Sequence, residues 1–207
     1  KEYGGWRNRK LVEFYKRLVT VLFARYKGLV KYWLTFNEIN MILHLPFMGA
    51  GLVFSEGEDK KAVEYLAAHH ELVASAWATK IAHEIDPKMM IGCMLAAGTY
   101  YPYSCRPEDV REAQICNQDN YFFVDVQSRG SYPHYALKKL ERLGIDVGMT
   151  EEDRTILAEN TVDFISFSYY STRCVAGAGS EVENTVGNAF MGTKNPYLKQ
   201  TQWGWAV

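Results

Sequence analysis

An α/β fold made of parallel βα units is the architecture that this sequence predicts. Segments with helical periodicity alternate with short, continuously apolar segments, which is typical of strands that helices cover on both faces. No Gly-x-Gly-x-x-Gly turn follows any of these strands, although open doubly wound sheets usually carry one. We therefore expect part of a (β/α)8 barrel, and 207 residues with 48% apolar content suit one domain or a part of one.

The first predicted helix and strand lie near the amino terminus. Residues 8–27 have apolar side chains at helical spacing, and Gly28 suits the left-handed residue that ends such a helix. The segment of residues 29–36 is short and rich in β-branched and aromatic side chains. It is apolar on both faces apart from Lys31 and Thr35, as expected for a central strand. Two polar residues, Asn37 and Glu38, follow this strand directly.

A second helix and strand come next. Residues 59–85 are rich in Ala, Leu, Glu and Lys, so they predict a long helix, which Pro87 stops. Residues 89–95 predict another buried strand, and residues 98–106 form an aromatic loop. The helix carries His69 and His70, which lack the i, i+4 spacing of a metal-binding pair, so we expect them to pack or to lie on the surface.

Three further helices are predicted before the last strand. The first runs from Pro107 to about residue 128, because proline suits the first helical position. A shorter helix over residues 133–143 ends at Gly144, and Thr150 with Asp153 resembles a capping box that opens a third helix.

The last predicted strand is again continuously apolar and spans residues 161–168. After it, residues 171–202 are small and polar without a sustained period, so they predict a long loop.

Composition excludes several classes of function. The 23 basic and 24 acidic residues are scattered, so no basic stripe suits nucleic acid, and we expect no nucleic-acid partner. The four cysteines form no Cys-x-x-Cys pair, which argues against zinc and against a disulfide scaffold. No stretch approaches the roughly 18 apolar residues of a membrane span, and residues 1–10 lack the charged-then-apolar pattern that is typical of a signal peptide. We expect a cytoplasmic protein with no membrane partner.

Glu38 is the strongest candidate for chemistry. It lies at the carboxyl end of a predicted parallel strand, where barrel enzymes place catalytic side chains because the βα loops converge there. Apolar neighbours would partly desolvate its carboxyl, which would raise its pKa and suit a general acid. Asn37 can direct its amide at a sugar hydroxyl. A solvated glutamate at a strand end is the alternative that location alone leaves open.

Four ordered motifs resemble the pattern of glycoside hydrolase family 1. They are Tyr3-Gly4-Gly5-Trp6, Trp33-Leu34-Thr35-Phe36-Asn37-Glu38, Asp163-Phe164-Ile165-Ser166-Phe167-Ser168-Tyr169-Tyr170 and Trp203-Gly204-Trp205. Within that family the chain is most similar to the bacterial 6-phospho-β-glucosidase branch, through Cys116-Asn117-Gln118-Asp119-Asn120 and Asp125-Val126-Gln127-Ser128-Arg129-Gly130. The resemblance covers essentially the whole chain.

This resemblance implies a retaining hydrolase of 6-phospho-β-glucosides that needs no metal or organic cofactor. Glu38 matches the acid/base of the family and Asn37 the neighbour that binds the sugar 2-hydroxyl. Tyr170 matches the tyrosine whose hydroxyl contacts the nucleophile. Ser168 stands where many members have asparagine, which fits the phospho-glucosidase branch better. From its position in the same loop after Glu38, His44 is a candidate for lining the entrance, with an ordinary loop histidine as the equal alternative.

Aromatic residues are candidates for sugar or aglycone contacts. Trp203 and Trp205 are predicted to form part of a sugar wall, with core packing as the alternative. The tyrosines of the loop at residues 98–106 are predicted to stack on an aglycone, with loop packing as an equal competitor.

The resemblance also implies that residues 1–207 are the central fragment of a single (β/α)8 barrel catalytic domain, from about helix 3 through strand 6. The nucleophile and the 6-phosphate loop would follow Val207, so we expect no turnover by this segment alone. Glu181 and Glu183 lie in the predicted long loop, so neither is a convincing substitute for the nucleophile. Open strand edges and exposed aromatic rings predict self-association. A β-glucosidase of unphosphorylated sugars and a non-catalytic carbohydrate-binding half-barrel are the alternatives.

Overall fold

The structure is a computed structural model that describes residues 2–179, 182 and 192–206. The described helices are α1 (Lys10–Arg25), α2 (Pro46–Ala50), α3 (Lys60–Ile85), α4 (Pro107–Arg129), α5 (His134–Leu143) and α6 (Glu151–Glu159). The described strands are β1 (Tyr32–Leu34), β2 (Met90–Ala97), β3 (Tyr100–Pro102), β4 (Phe164–Tyr169) and β5 (Arg173–Val175). Helices thus follow strands in the order that the sequence predicts.

Three of the strands form one sheet with the order β1-β2-β4. β1 and β2 are parallel, and Tyr32 is paired with Met90. Asp163 fixes the start of β4 on β2, because its backbone N–H donates to Ile91 O over 2.7 Å and its Oδ2 accepts from Ile91 N over 2.7 Å. His83 Nε2 lies 3.0 Å from the same carboxylate oxygen. Asp163 therefore has a structural role at the amino end of its strand.

The chain divides into two compact units. Residues 1–95 and 122–167 form the first unit, and residues 96–121 and 168–207 form the second. The first unit contains β1 and most of the helices. The second contains a separate two-stranded parallel sheet in which β3 pairs with β5.

The core of the first unit surrounds α3. One cluster packs this helix against α4, α5, α6 and the segment after β1, and Leu72, Val73, Phe123 and Ile42 are among its fully buried members. A smaller cluster lies between α1, α3 and β2. Burial on both of these sides makes α3 the central element of the unit.

Helix ends agree with the capping signals in the sequence. Asp59 caps α3 by accepting a hydrogen bond from Ala62 N over 3.1 Å. Thr150 and Asp153 form the predicted capping box of α6. Gly144 ends α5 with a φ of 65°. Because capping is a local interaction, the sequence predicts these boundaries to within two or three residues.

Asp153 also forms a buried ionic cluster that joins α6 to α3 and to the amino-terminal segment. Its side chain is 0% exposed. Arg9 donates to both of its carboxylate oxygens, and His69 Nε2 lies 3.2 Å from Oδ2. Since a carboxylate only accepts, His69 donates from Nε2, and its Nδ1 lies 2.9 Å from Tyr132 Oη. These interactions hold the pKa of Asp153 well below its usual range, against the opposing effect of burial.

Two expectations about the strands are wrong. β1 exposes Tyr32 (63%), and β4 exposes Ile165 and Phe167 (65%), whereas we expected both strands to be covered on both faces. The sequence shows that these side chains are apolar, but it does not show which elements cover them.

Loops contain more structure than predicted. The segment after Glu38 forms a 3₁₀ turn over Ile39–Leu43 and then α2. The predicted long loop contains β5 and an isolated bridge between Cys174 and Thr193. Glu181 and Glu183 lie outside the described residues.

Within the described ranges, no helix combines the length and apolarity that crossing a membrane requires. In the same part of the chain, no three His, Cys, Asp or Glu side chains are grouped as a metal site. The four cysteines are free thiols.

Candidate active site

Glu38 lies four residues beyond the end of β1 and has an unusual backbone conformation. Its φ is 46° and its ψ is 54°, and it is the only non-glycine residue with positive φ in the described part of the chain. A left-handed non-glycine residue costs about 1–3 kcal/mol and persists only where its surroundings enforce it. Glu38 is half-buried, and the neighbouring Asn37 is exposed. Glu38 as a whole is thus partly withdrawn from water yet accessible.

The residues after Glu38 are fixed in the core. Glu38 O accepts a hydrogen bond from Met41 N over 2.8 Å, which starts the 3₁₀ turn. Ile39 and Ile42 of that turn are buried in the larger core cluster. His44 ends the turn and is half-buried, and its backbone N–H donates to Met41 O over 3.0 Å. The loop that carries Glu38 is therefore anchored on its carboxyl side.

The amino-terminal motif packs against this loop. Gly5 has a φ of 76°, and a Cβ at this position would lie 2.4 Å from Ala50 O and 2.5 Å from Gly51 O. His70 Nδ1 lies 2.7 Å from Trp6 O, which fixes the motif on α3. Only glycine permits this close approach, so the structure explains why glycine occupies position 5.

Ser168, Tyr170 and Trp203 lie in the second unit, whereas Glu38, Asn37 and His44 lie in the first. Tyr170 contacts Trp205 edge to face, with ring centroids 6.0 Å apart. Trp203 is 80% exposed. Trp205, rather than Trp203, is thus the tryptophan that contacts Tyr170, and the sequence offers no means of choosing between the two rings of a Trp-Gly-Trp element.

A cavity of about 470 Å³ lies within the second unit. Its wall is mostly aromatic and apolar, with a few polar groups, which is the usual composition of a small-molecule site. The residues that line it are Tyr101, Pro102, Tyr103, Tyr169, Thr172, Cys174, Asn195, Tyr197 and Leu198. The sequence singled out Tyr101 and Tyr103, but it did not indicate that Asn195 and Tyr197, more than 90 positions later in the chain, join them.

The third tyrosine of that loop, Tyr100, does not line the cavity. It is buried, and the Asn117 side chain both accepts from Tyr100 N and donates to Tyr100 O, each over 2.9 Å. The Arg173 guanidinium lies 5.4 Å from the centre of the Tyr100 ring. Burial lowers the pKa of Arg173 and raises that of Tyr100. Tyr100 therefore supports β3, and plain packing accounts for its role.

Comparison with known proteins assigns the family. The family model described as "Glycosyl hydrolase family 1" matches residues 1–207. The chain belongs to glycosyl hydrolase family 1. 6-phospho-beta-glucosidase AscB of Escherichia coli (strain K12) is 53% identical over 206 residues, which are 100% of this chain and 43% of that protein. Aryl-phospho-beta-D-glucosidase BglH of Bacillus subtilis (strain 168) is 50% identical over 207 residues, 100% of this chain and 44% of that protein.

Solved structures of family 1 agree with this assignment. Beta-glucosidase from Thermotoga maritima in complex with glucoimidazole is 26% identical to this chain and superposes with a TM-score of 0.76. The match covers 98% of this chain and 43% of that structure. The predicted fold, part of a (β/α)8 barrel, is confirmed, and this family 1 chain spans less than half the length of the relatives that it matches.

Proposed function

We propose that the complete protein is a retaining hydrolase of 6-phospho-β-glucosides in which Glu38 is the general acid/base. The observation that supports this proposal is that Glu38 is half-buried in the loop after β1, in a chain that matches the family 1 model along its whole length. In the first step, Glu38 donates its proton to the glycosidic oxygen while a carboxylate nucleophile attacks the anomeric carbon and the aglycone leaves. In the second step, the Glu38 carboxylate takes a proton from water, which attacks the same carbon and releases the sugar.

The remaining roles follow from the same proposal. Asn37 binds the sugar 2-hydroxyl, and Tyr170 orients the nucleophile. His44, Ser168 and Trp203 are proposed to line the substrate site. We propose that the nucleophile lies outside these 207 residues, which would form the central part of one barrel catalytic domain. Retention needs two carboxyl groups about 5–5.5 Å apart, so this segment would not turn over substrate by itself.

The names of the relatives with the higher sequence identity favour a phosphorylated sugar as the substrate. The two phospho-glucosidases above are at least 50% identical to this chain, whereas the β-glucosidase structure is 26% identical. Ser168, at a position where many family members have asparagine, also supports this choice. Hydrolysis of unphosphorylated β-glucosides remains the second candidate, and a non-catalytic carbohydrate-binding role the third. The cytoplasm, where such phosphorylated sugars would be met, is the proposed location, and four free thiols suit it.

A paired assay tests the proposed function. We expect the complete protein to hydrolyse p-nitrophenyl 6-phospho-β-glucoside at least about 100-fold more efficiently, as kcat/KM, than the unphosphorylated compound, since a site built for a charged group rejects analogues that lack it. Proton NMR should show the β-anomer as the first product, and the isolated 207-residue chain should be inactive. Preference for the unphosphorylated compound would establish the second candidate. No hydrolysis of either would support a binding role.

We propose further that the cavity of the second unit binds the aglycone. Tyr101 lines it and keeps 47% of its surface exposed, so its ring is available to stack on an aromatic group. The wall also offers Asn195 and Thr172 as hydrogen-bonding groups.

Replacement of Tyr101 tests this assignment. We expect Tyr101→Ala to lower kcat/KM for aryl 6-phospho-β-glucosides by about 3- to 10-fold, because one aromatic stacking contact contributes about 0.5–1.5 kcal/mol. Activity on the methyl glycoside should change less than about twofold. Tyr26→Ala is the matched control, since Tyr26 is 43% exposed and does not line the cavity. Equal losses on aryl and methyl substrates would refute an aglycone role for Tyr101.

The isolated chain is expected to self-associate. Tyr32 and Leu34 of β1 and Ile165 and Phe167 of β4 are exposed large apolar side chains of the first unit. Burying such surface contributes about 25 cal/mol per Å². Light scattering at micromolar concentration should therefore give a mass above the 23.7 kDa of one chain, and Phe167→Lys should reduce it. A monomer at that concentration would contradict the prediction.

A further inference from the structure

Thr35 lies three positions before Glu38, and each of its polar groups has a partner. Its backbone N–H donates to Gly92 O over 3.3 Å. Its carbonyl oxygen accepts from Tyr15 Oη over 2.5 Å, and its Oγ1 lies 2.8 Å from Ser75 Oγ. The residue is thus fixed to β2, α1 and α3 at once.

Ser75 is the junction of this network. It is buried on α3, and its hydroxyl also accepts from Gln127 Nε2 of α4 over 2.9 Å. The Ser75 hydroxyl therefore connects the strand segment that precedes Glu38 with two helices. All of these residues belong to the first unit.

The next residue, Phe36, is held by contacts between aromatic rings. Phe36 stacks on Tyr15 with centroids 4.9 Å apart and an interplanar angle of 19°, and it contacts Trp6 edge to face at 5.2 Å. Tyr15 thus contacts both residues: its hydroxyl binds Thr35 and its ring supports Phe36.

Glu38 occupies the left-handed conformation between two fixed segments. Thr35 and Phe36 precede it, and the buried Ile39 and Ile42 follow it. Since a strained backbone persists only where its surroundings over-determine it, these contacts supply the constraint. A displacement of 1 Å at a catalytic group can reduce a rate about 100-fold.

We infer that Tyr15 and Ser75 are positioning residues that orient the carboxyl of Glu38 through Thr35 and Phe36. The inference rests on the proposed acid/base role of Glu38. Neither residue is predicted to touch the substrate. Their loss should impair proton donation selectively, because substrates whose aglycone leaves without protonation do not need an oriented acid.

The test compares leaving groups in the complete protein, using phenyl and 2,4-dinitrophenyl glycosides of whichever sugar the wild type hydrolyses. We expect Tyr15→Phe and Ser75→Ala each to lower kcat/KM for the phenyl compound about tenfold and for the dinitrophenyl compound less than about twofold. Tyr15→Phe keeps the ring that supports Phe36, so it removes only the hydroxyl. Thr35→Val combined with Ser75→Ala should cost no more than Ser75→Ala alone, because Ser75→Ala already removes the contact between the two hydroxyls.

Thr79→Val and Tyr135→Phe are the matched controls. Thr79 is also buried on α3, but its hydroxyl donates within the helix to Ser75 O, and Tyr135 donates to Asp125. Neither control should alter the ratio of the two substrates. An equal loss on both substrates, or the same selective loss in the controls, would overturn the positioning role while leaving the proposed function intact. A wild type that hydrolyses neither substrate would refute the proposed function and this inference with it.

Discussion

Glu38→Gln in the complete protein should lower kcat/KM for phenyl 6-phospho-β-glucoside by about 10²–10⁴-fold, the usual contribution of general acid catalysis. Glutamine has nearly the same shape but donates no proton, so a poor leaving group departs as an anion. The 2,4-dinitrophenyl compound leaves without protonation, and its kcat/KM should fall less than about tenfold. Initial rates over a series of leaving groups measure the difference.

The second step provides an independent readout of the same substitution. Without the Glu38 carboxylate as base, water attacks the glycosyl-enzyme slowly, so the dinitrophenyl compound should give a burst of phenolate followed by a slow phase. Azide needs no base, and adding it should accelerate the slow phase. Glu56→Gln is the control, because Glu56 is an exposed carboxylate in the segment after Glu38. Unchanged hydrolysis of the phenyl compound by Glu38→Gln would rule out the acid/base role.

Asp153→Ala should lower the free energy of unfolding by about 3 kcal/mol, the lower part of the range for breaking a buried ion pair. The change leaves the donors on Arg9, His69 and Thr150 without their acceptor. We place the loss at the lower end because the Arg9 side chain is 41% exposed and can recover water. Urea denaturation measures it, and Asp146→Asn, an exposed carboxylate change, should shift the free energy by less than about 0.5 kcal/mol.

The lowered pKa of Asp153 also predicts how the free energy of unfolding depends on pH. Because the folded-state pKa of Asp153 is lowered, its contribution is present above the unfolded pKa of about 3.9 and is lost as pH falls toward the lower folded value. Wild type should therefore lose stability below about pH 4 more steeply than Asp153→Ala. Parallel curves for the two proteins in acid would mean that Asp153 does not carry this charge interaction.

Local signals predicted most helices, and non-local contacts explain most of the errors. The capping box at Thr150 lies within four residues, so the start of α6 follows from the sequence. Whether the side chains of β1 are buried depends on elements far along the chain. The expectation that both faces of β1 are buried was therefore wrong for Tyr32. β5 was missed because its partner β3 lies 73 positions earlier.

At the candidate site, too, local features were predictable from the sequence and features that depend on distant residues were not. The position of Glu38 after a strand is a local property, and the structure agrees with it. Its left-handed backbone is not predictable, since Tyr15 and Ser75, which fix the preceding residues, lie 20 and 40 positions from Thr35. The ionic cluster was also missed, because Arg9 and Asp153 are 144 positions apart.

The left-handed backbone of Glu38 means that selection for stability and selection for activity should favour different residues at position 38. Glycine adopts this conformation without steric cost, so a library screened only for thermal resistance should enrich Gly at position 38. A library screened for sugar release should retain Glu. Enrichment of Gly in the first pool and of Glu in the second would show that position 38 gives up folding free energy for the proposed acid/base role.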